Sequence, residues 1–597
     1  MFQPSSSDDA SREGEQPSGS APGGPRTFAD AEPILPVTTP RLEQRKVMGR
    51  GSDTMVVVSR SKSKAFRPQE GDTLQATEEA LEPQTSMGKL LDRVKRIVVG
   101  RPIATEQGIH ERLTKVKALA VLSSDAISSV AYATEASLGV LILAGAGSLP
   151  LNVFIALAIA MLMVVVGISY RQTIAAYPQG GGSYIVAKDN LGTLPGLIAA
   201  AALMIDYVLT VAVSVSAGID ALVSPFANLR GFSVELGVAC TLLIMFVNLR
   251  GVRESGSIFA IPTYLFIAGF GIMIVTGVIT AAFSTGGLFT PMPPSATLAQ
   301  LGWHSTETLG ILLILKAFAS GCSAMTGVEA ISDGVPAFQK PEWKNAQQTL
   351  TWMVTVLVTL FLGTTYLAWR FGAAPHATGE PTVTSQIAQH LFSGNFTFMY
   401  LFVQITTLLV LVLAANTSFS DFPRLASFLA RDKHLPSQFA FRGDRLAFST
   451  GIIALTVLAV LLQIAFSGNT ATLINLYALG VFTAFTLSQS ARVLRWWRKR
   501  ESAGRNWRRS MVLNGLGATA TALVTVIIGI SKFWGEQTIA TLGTFQLKDG
   551  AWIVLILIPL LVLMFYQISR HYARASTLAA SFTPLRSEEL HHIIIVP

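Results

Sequence analysis

Long apolar segments recur along this chain between residues 117 and 568. About 20 apolar residues in a helix span the ~30 Å hydrocarbon core of a bilayer. Half of the 597 residues are hydrophobic and 14% are charged, which is too little polar surface to enclose soluble domains. The sequence therefore predicts an all-α integral membrane protein with twelve transmembrane helices. Their predicted limits are 117–143, 152–177, 195–223, 233–249, 258–283, 307–333, 348–370, 395–416, 448–467, 471–490, 512–534 and 551–568.

Positive charges fall mainly at the ends of the even-numbered segments and in the connections that follow them, for example at Arg171, Lys188, Arg250, Lys340 and Arg424. Cytoplasmic loops of membrane proteins carry an excess of Lys and Arg. We therefore expect a multi-pass protein of the cell (cytoplasmic) membrane with both termini cytoplasmic. The net charge of +9 then reflects topology in the lipid bilayer, and no nucleic-acid partner is predicted.

The chain divides by composition into a tail, a basic segment and a membrane domain. Residues 1–88 are rich in Ser, Pro, Gly, Asp and Glu, which predicts a disordered cytoplasmic N-terminal tail. Residues 89–116 are predicted to be a basic cytoplasmic segment, and residues 117–570 the transmembrane domain.

Two of the predicted helices are interrupted by small polar residues. The first contains SSDAISS at 123–129, and the sixth contains GCSAMTG at 321–327. Interrupted helices at corresponding positions of two five-helix halves indicate an inverted-repeat transporter with its substrate site between the breaks. The alternative is that small residues only allow close helix packing.

Acidic and hydroxyl side chains lie at or near these breaks and in the third helix. Asp206, Thr210 and Ser214 are spaced i, i+4 and i+8, so they share one helix face. Thr326 and Glu329 are three residues apart beyond the second break. The remaining candidates for the same layer are Asp125 in the first break, Tyr132 two turns beyond it, and Tyr477 in the tenth helix.

The three acids Asp125, Asp206 and Glu329 lack a Lys or Arg nearby in sequence, apart from Lys316 in the sixth helix. Buried carboxylates without a counter-charge repel one another and lose solvation, so protons or cations must neutralise them. Carboxylates, hydroxyls and carbonyls at broken helices suit a small monovalent cation. The sequence therefore predicts a cation site rather than a site for an anion.

Several blocks resemble a known family. YPQGGGSYIVAKDNLG at 177–192, with the two broken helices, is similar to the amino acid, polyamine and organocation (APC) superfamily, whose LeuT/APC-type fold is a five-plus-five inverted repeat with two further helices. More narrowly, SSDAISSVAYATE, IDYVLTVAVSVSAG, FVNLRGVRESG and FASGCSAMTGVEAISDGVPAF resemble the KimA-type potassium importers of the KUP/HAK/KT group. The resemblance covers residues from about 90 to 590.

The resemblance implies a secondary active transporter that imports potassium by proton symport. Glu329 matches the acid that carries the coupled proton, and a Glu beside a break in an apolar helix is expected to bind and release a proton. Potassium is then a substrate and the proton a coupling ion, and no resident cofactor is expected. The positions that match potassium-binding or pathway residues are Asp125, Tyr132, Asp206, Thr210, Ser214, Thr326 and Tyr477.

Relatives in this group continue into a cytoplasmic domain that supports a homodimer and binds a cyclic dinucleotide. Here HHIIIVP at 591–597 resembles the first strand of such a domain. We therefore expect residues 571–597 to be the start of a truncated cytoplasmic C-terminal domain. Dimerisation and cyclic-dinucleotide regulation would then lack their usual support.

Two other functions remain open at this point. An amino acid or polyamine permease would share the fold, although amino acid carriers offer small residues and free amides where this chain has Asp125. A sensor or scaffold that has lost transport would keep the acids with no ion to balance them. The residues contain no nucleophile and base pairing, metal cluster or phosphate loop, so no enzyme is predicted.

Overall fold

The computed structural model describes residues 42–48, 54–60, 66–68, 74–76, 112–180, 182–250, 256–284, 287–292, 294, 297–443, 448–501, 507–531, 533, 538–542, 545–548 and 550–580. The chain forms two units, residues 1–93 and residues 94–597, and each is described by itself.

The first unit contains two short antiparallel hairpins. Strand β1 (Leu42–Met48) pairs with β2 (Thr54–Arg60), and β3 (Phe66–Pro68) pairs with β4 (Leu74–Ala76). All four strands fall within the segment 1–88, where composition predicts disorder and gave no indication of strands. The rest of that tail, and residues 89–111 of the basic segment, lie outside the described residues, so the predicted disorder stays a prediction.

The second unit is built of helices, as predicted, with one hairpin of β5 (Thr538–Leu542) and β6 (Phe545–Lys548). Short 3-10 helices occur at Ile142–Ala144, Ala146–Leu151, Ala227–Phe232, Gly287–Phe289, Cys322–Met325, Val335–Ala337, Gly394–Phe396 and Ser437–Phe439. The α-helices are α1 (Lys115–Leu122), α2 (Ser124–Ser128), α3 (Val130–Leu141), α4 (Asn152–Ala176), α5 (Ser183–Leu191), α6 (Thr193–Val223), α7 (Ser233–Leu249), α8 (Gly256–Phe283), α9 (Ile311–Gly321), α10 (Ala330–Asp333), α11 (Glu342–Phe371), α12 (Val383–Leu391), α13 (Thr397–Arg431), α14 (Ser449–Ala465), α15 (Thr470–Arg498), α16 (Trp507–Ser531) and α17 (Trp552–Ala580).

Within the described residues, ten helical segments are long and apolar enough to cross a membrane. The first and ninth predicted segments are not among these ten. They appear instead as shorter apolar helices at Val130–Ala144 and Ser449–Ala465. The first segment is short because it is divided into α1, α2 and α3.

Both predicted interruptions are present. In the first segment Ser123 (φ −109°, ψ 0°) separates α1 from α2, and Ser129 separates α2 from α3. In the sixth segment α9 passes through a 3-10 turn into Thr326, whose backbone is extended, and Gly327, whose φ is +73°. The helix resumes only as the single turn α10.

Helices α6 and α15 lie inside the bundle, whereas α7 and α17 lie at its periphery. In α6, 78% of the most apolar window is buried, against 22% in α7 and in α17. Apolar side chains exposed on α7 and α17, such as Leu243 and Leu560, are the expected contacts of lipid-facing helices. The third predicted segment, with Asp206, is therefore central to the fold.

The connections lie on two faces of the bundle. One face, called the basic face, carries Lys188, Arg424, Arg431 and Arg498. The Arg498 side chain donates to the Asn190 carbonyl there at 3.0 Å. The other, called the vestibule face, brings together the connections around Arg230, Trp303, Glu380 and Asn469 around one large cavity.

A small ion-pair network joins α5 to the end of α13 on the basic face. The Asp432 carboxylate accepts hydrogen bonds from the Tyr184 hydroxyl at 2.5 Å and from Lys188 Nζ at 2.6 Å. Burial raises the pKa of Asp432, but the hydrogen bonds from Lys188 and Tyr184 outweigh it, so this pKa lies below its usual value. A carboxyl whose pKa is lowered on folding stabilises the fold above its unfolded pKa, and this contribution is lost as the pH falls through the lowered value.

We predict that Asp432→Asn lowers the free energy of unfolding at pH 7 by up to about 1 kcal/mol, the usual range for a partly exposed pair. The deficit should shrink as the pH falls below 4, where wild type also loses the pair. The measurement is thermal unfolding of the purified protein in detergent at both pH values, with the exposed Asp189→Asn as control. A deficit that grows towards acid pH would contradict this assignment.

Candidate functional site

The first and sixth segments meet at their breaks through serine hydroxyls. Ser129 Oγ donates to the Ala126 carbonyl at 2.6 Å and lies 3.1 Å from the Ala324 carbonyl in the other break. Thr326 Oγ1 donates to the Ser323 carbonyl at 3.1 Å. Unwound backbone in a bilayer must find partners within the protein, and these short side chains supply them.

Gly327 brings the two breaks into direct contact. Its φ of +73° favours glycine, and a Cβ there would lie 2.6 Å from the Ala126 nitrogen and 2.7 Å from Asp125 Oδ2. Both distances are shorter than a carbon atom tolerates. The absence of a side chain at Gly327 is therefore what lets the sixth segment touch the Asp125 carboxylate.

A cavity of about 20 Å³ lies beside the breaks, with room for about one water-sized occupant. Asp125, Asp206 and Glu329, from three different segments, all line it. Asp125 is 6% exposed and Asp206 9%, and in the described part of the chain Oδ1 of each has no hydrogen-bond partner. Buried carboxylate oxygens without partners are costly, so this cavity calls for a proton or a cation.

A layer of hydroxyl side chains separates this cavity from the vestibule face. Tyr132 interacts with Thr326 and Tyr477, and Tyr477 in turn interacts with Thr210. Thr210 also interacts with Asp206. These side chains are almost fully buried, but Tyr132 also lines the large cavity on the other side.

Six of the eight predicted site residues thus lie at the small cavity or in the hydroxyl layer, and Glu329 is the seventh. Ser214 is the exception, because it lies outside both the small cavity and the hydroxyl layer as defined above. It is 1% exposed, and its spacing puts it one turn beyond Thr210 on α6.

The large cavity on the vestibule face, called the vestibule, has a volume of about 890 Å³. Its two cationic side chains are paired, Lys316 with Glu307 at 3.0 Å and Arg230 with Glu380 at 2.7 Å. Lys316 is the one basic residue near the three buried acids in the sequence, and it pairs with Glu307 rather than with any of them. Two further acids line the vestibule beyond these pairs, Glu135 and Asp220.

A histidine of the vestibule adds little positive charge at neutral pH. Burial, with a smaller contribution from Arg230, lowers the pKa of His376 below its usual value. The vestibule is therefore lined by four acidic side chains, Glu135, Asp220, Glu307 and Glu380, and by two basic ones, Arg230 and Lys316, a balance that suits the entry of a cation.

Glu329 is held by three donors from the second segment and the motif that follows it. Its carboxylate accepts from Ser183 Oγ at 2.9 Å, from the Tyr170 hydroxyl at 3.3 Å and from the Ser183 backbone N–H. The two hydroxyls are 3.4 Å apart, and either can donate to the other. Because a hydroxyl can both donate and accept, this arrangement can hold Glu329 with or without a proton.

The glycine-rich motif before Ser183 packs against the end of the sixth segment. A Cβ on Gly182 would lie 2.4 Å from Asp333 Oδ1, and one on Gly180 would lie 2.9 Å from the Asp333 carbonyl. Gly180 also has a φ of +88°. The sequence identified this motif only through the family resemblance, and the structure adds its physical reason, close approach to α10.

Sequence reasoning missed a second group of polar residues between the small cavity and the basic face. Asp421 lines the small cavity, and Asp333 and Arg424 lie next to it in a further cavity. Tyr207 lines both cavities and interacts with Asp333. Asp421 follows a long apolar stretch of α13 and could have been found as an acid within a predicted helix, had that helix not been ended at residue 416.

No three His, Cys, Asp or Glu side chains within the described ranges come together as a metal-chelating group. The acids of the small cavity line it from different helices, and further acids lie in the vestibule and towards the basic face.

An apolar helical bundle with a small acid-lined cavity between two broken helices, and with a vestibule beyond the hydroxyl layer, is typical of a polytopic membrane transporter. The sequence comparisons agree with this class. A model of the amino acid permease family matches residues 113–568, and the chain belongs to that family.

The chain is also 45% identical over 481 residues to the potassium transporter KimA of Bacillus subtilis (strain 168), covering 80% of this chain and 74% of that protein. The resemblance to KimA-type transporters, drawn from the sequence blocks, is thereby confirmed. So is the prediction of a transporter and not an enzyme.

We predict that Gly327→Ala destabilises the protein by at least about 1–3 kcal/mol, because it adds backbone strain and a clash with Ala126. Gly394→Ala is the matched control, since Gly394 has a similar positive φ (+68°) but nothing within 4 Å of its Cβ position. Thermal unfolding of both purified variants in detergent measures the difference. Equal losses in the two variants would mean that the breaks are not in close contact.

Proposed function

We propose that this protein imports potassium ions by proton symport across the cytoplasmic membrane. The observation that carries the proposal is the pair of buried carboxylates, Asp125 and Asp206, each with an unpartnered oxygen, at a cavity for one water-sized occupant. A partly dehydrated monovalent cation fits the size of this cavity and balances the charge of one carboxylate, and a proton can balance another. The similarity to a protein named as a potassium transporter supports the same conclusion.

The proposed architecture has twelve transmembrane helices in a five-plus-five inverted repeat with two further helices. The two interrupted segments, five segments apart, support this arrangement. The excess of Lys and Arg on the basic face supports an orientation with that face and both termini in the cytoplasm. The vestibule then opens to the outside, where its acids attract the incoming ion.

Within this proposal the ion passes from the vestibule through the hydroxyl layer to the two carboxylates. Hydroxyl and carbonyl oxygens replace the hydration shell of the ion, and the carboxylates balance its charge. Alternating access would move one helix bundle against the other around the breaks. The proposed potassium ligands and pathway residues are Asp125, Tyr132, Asp206, Thr210, Ser214, Thr326 and Tyr477.

Glu329 is the proposed carrier of the coupled proton. Its hydroxyl partners, Tyr170 and Ser183, can accept a hydrogen bond from the protonated form and donate to the charged form. An inside-negative potential favours entry by about 2.3 kcal/mol per 100 mV for each charge, so a symported proton doubles the electrical driving force.

The proposal requires no resident cofactor. A homodimer and regulation by a cyclic dinucleotide remain predictions from the family resemblance. Helix α17 continues through residues 571–580, and the rest of the predicted C-terminal segment, 581–597, lies outside the described residues.

We predict that Asp125→Asn and Asp206→Asn each lower potassium uptake by at least about 100-fold. Each factor of ten corresponds to about 1.4 kcal/mol of lost binding free energy, so a 100-fold loss requires only ~2.7 kcal/mol from the missing carboxylate. The readouts are growth of a potassium-uptake-deficient strain on low potassium and rubidium uptake into proteoliposomes. The exposed Asp189→Asn is the matched control and should behave as wild type. Full rescue by either site variant would remove both acids from the ion path.

A polyamine or amino acid permease of the same fold is the second candidate, favoured by the description of the matching family. The small cavity in this conformation is too small for either substrate, and the acids disfavour an amino acid carboxylate. Adding putrescine during rubidium uptake separates the candidates. We expect no competition, whereas strong competition would assign the site to a polyamine.

We also predict that Glu329→Gln abolishes the dependence of uptake on an imposed pH gradient, because the amide cannot carry a proton. Uptake driven by an electrical gradient alone should persist at a reduced rate. Rubidium uptake into proteoliposomes with an imposed pH gradient, or with an inside-negative potential set by an inward gradient of the permeant anion thiocyanate, measures both, and the exposed Glu235→Gln serves as control. Proton coupling that survives in Glu329→Gln would show that another group carries the proton.

A further inference from the structure

Asp421 on α13 lies in the wall between two cavities. One is the small cavity that contains Asp125 and Asp206, and the other is a cavity of about 20 Å³ on the side of the basic face. Leu203, Tyr207 and Asp421 line both. Of these three residues only Asp421 is acidic, and the ion path proposed above does not include it.

A stripe of residues on one face of α13 connects the two cavities. Thr417 and Asp421 line the small cavity, and Asp421, Arg424 and Phe428 line the further one. These positions follow the spacing i, i+4, i+7 and i+11, which keeps them on one helix face. The stripe therefore forms a continuous surface from the candidate ion site towards the basic face.

On the site side, Asp421 shares its cavity with two unpartnered carboxylate oxygens. Oδ1 of Asp125 and Oδ1 of Asp206 are buried without a hydrogen-bond partner among the described residues, and both side chains are more than nine-tenths buried. Asp421 adds a further carboxylate close enough to interact with Asp125 and Glu329. Carboxylates that are close enough to interact repel one another unless a positive charge lies between them.

On the other side, Asp421 has a positive partner on its own helix. Arg424 Nη1 lies 3.5 Å from Asp421 Oδ1 and 3.4 Å from the carbonyl oxygen of Asp333. The Arg424 side chain is 28% exposed and that of Asp421 only 7%. The guanidinium therefore reaches the carboxylate from the basic-face side, along the route that a departing ion would follow.

An ordinary ion pair at i, i+3 on a helix surface would not need a buried acid in the wall of a cavity that already holds three others. Burial and repulsion both disfavour that position for a purely structural pair. A cation that binds at Asp421 during transport would offset both the cost of burial and the repulsion from the other acids. The long, flexible arginine side chain can leave and return without breaking the helix.

We propose that Asp421 is the exit station of the ion path, which binds the transported cation after Asp125 and Asp206 and before release at the basic face, and that Arg424 occupies Asp421 whenever the ion is absent. The arginine then acts as a tethered cation that the ion must displace. This inference rests on the proposed cation transport, and it adds a binding residue and a closing device to that path.

The test uses the full chain in right-side-out and inside-out membrane vesicles, where rubidium uptake starts from the vestibule side and from the basic-face side respectively. For Asp421→Asn we expect the KM from the vestibule side to stay within about twofold of wild type. From the basic-face side it should rise about tenfold, which corresponds to ~1.4 kcal/mol. The equilibrium across the membrane fixes the ratio between the two directions of maximal rate divided by KM. With the maximal rate from the basic-face side unchanged, the maximal rate from the vestibule side should therefore fall by the same factor.

Two further variants separate this role from a loss of folding. Asp421→Glu keeps the charge and should recover most of the wild-type KM. Arg424→Gln removes the competing cation and should lower the KM from the basic-face side several-fold, opposite to Asp421→Asn. Damage to the fold would not raise the KM from the basic-face side in Asp421→Asn and lower it in Arg424→Gln. Asp189→Asn again controls for the loss of a surface charge.

If wild type shows no rubidium uptake from the vestibule side, the proposed function itself fails. If wild type transports rubidium but Asp421→Asn and Arg424→Gln leave the KM unchanged from both sides, Asp421 and Arg424 are a structural pair and the exit station is overturned. Opposite KM shifts confined to the basic-face side would support it.

Discussion

Carboxylates buried inside an apolar bundle are the constraint on which the rest of this structure depends. Asp125 and Asp206 are held away from water with oxygen atoms that lack protein partners. Such groups are tolerated in a membrane only where a proton, a cation or a polar cavity compensates them. The broken helices, the hydroxyl layer and the acid-lined vestibule can all be understood as parts of one arrangement that brings a compensating charge to this point.

The breaks are stable because short side chains replace the helix hydrogen bonds that are lost. Ser129 bonds to carbonyls of both breaks, and Thr326 bonds within its own turn. Gly327 then allows the two unwound segments to touch at the Asp125 carboxylate. The serines and glycines that interrupt the helices are thus the same residues that build the site, and replacing them with good helix formers would remove both features.

The side chains that line the cavities change from acidic to basic along the molecule. The vestibule carries Glu135 and Asp220 beyond its paired acids, and the small cavity carries acids without arginine or lysine among its lining residues. Arg424 is the cation that closes the next cavity towards the basic face. A cation therefore meets acidic side chains first and a basic side chain last, an order that suits entry from the vestibule and controlled release.

Sequence alone determined that the chain is a helical membrane protein, which helices break, and that Asp125, Asp206 and Glu329 lie in its apolar segments, because hydropathy, spacing and composition are local properties. It also identified the family through blocks of contiguous residues. It could not determine that Ser183 and Tyr170 hold Glu329, that Lys316 pairs with Glu307 instead of a buried acid, or that Asp421 joins the same cavity as Asp125. Those contacts join residues that are distant in the chain, apart from the Lys316 pair, and only the packing of the helices decides which side chains face one another across a cavity.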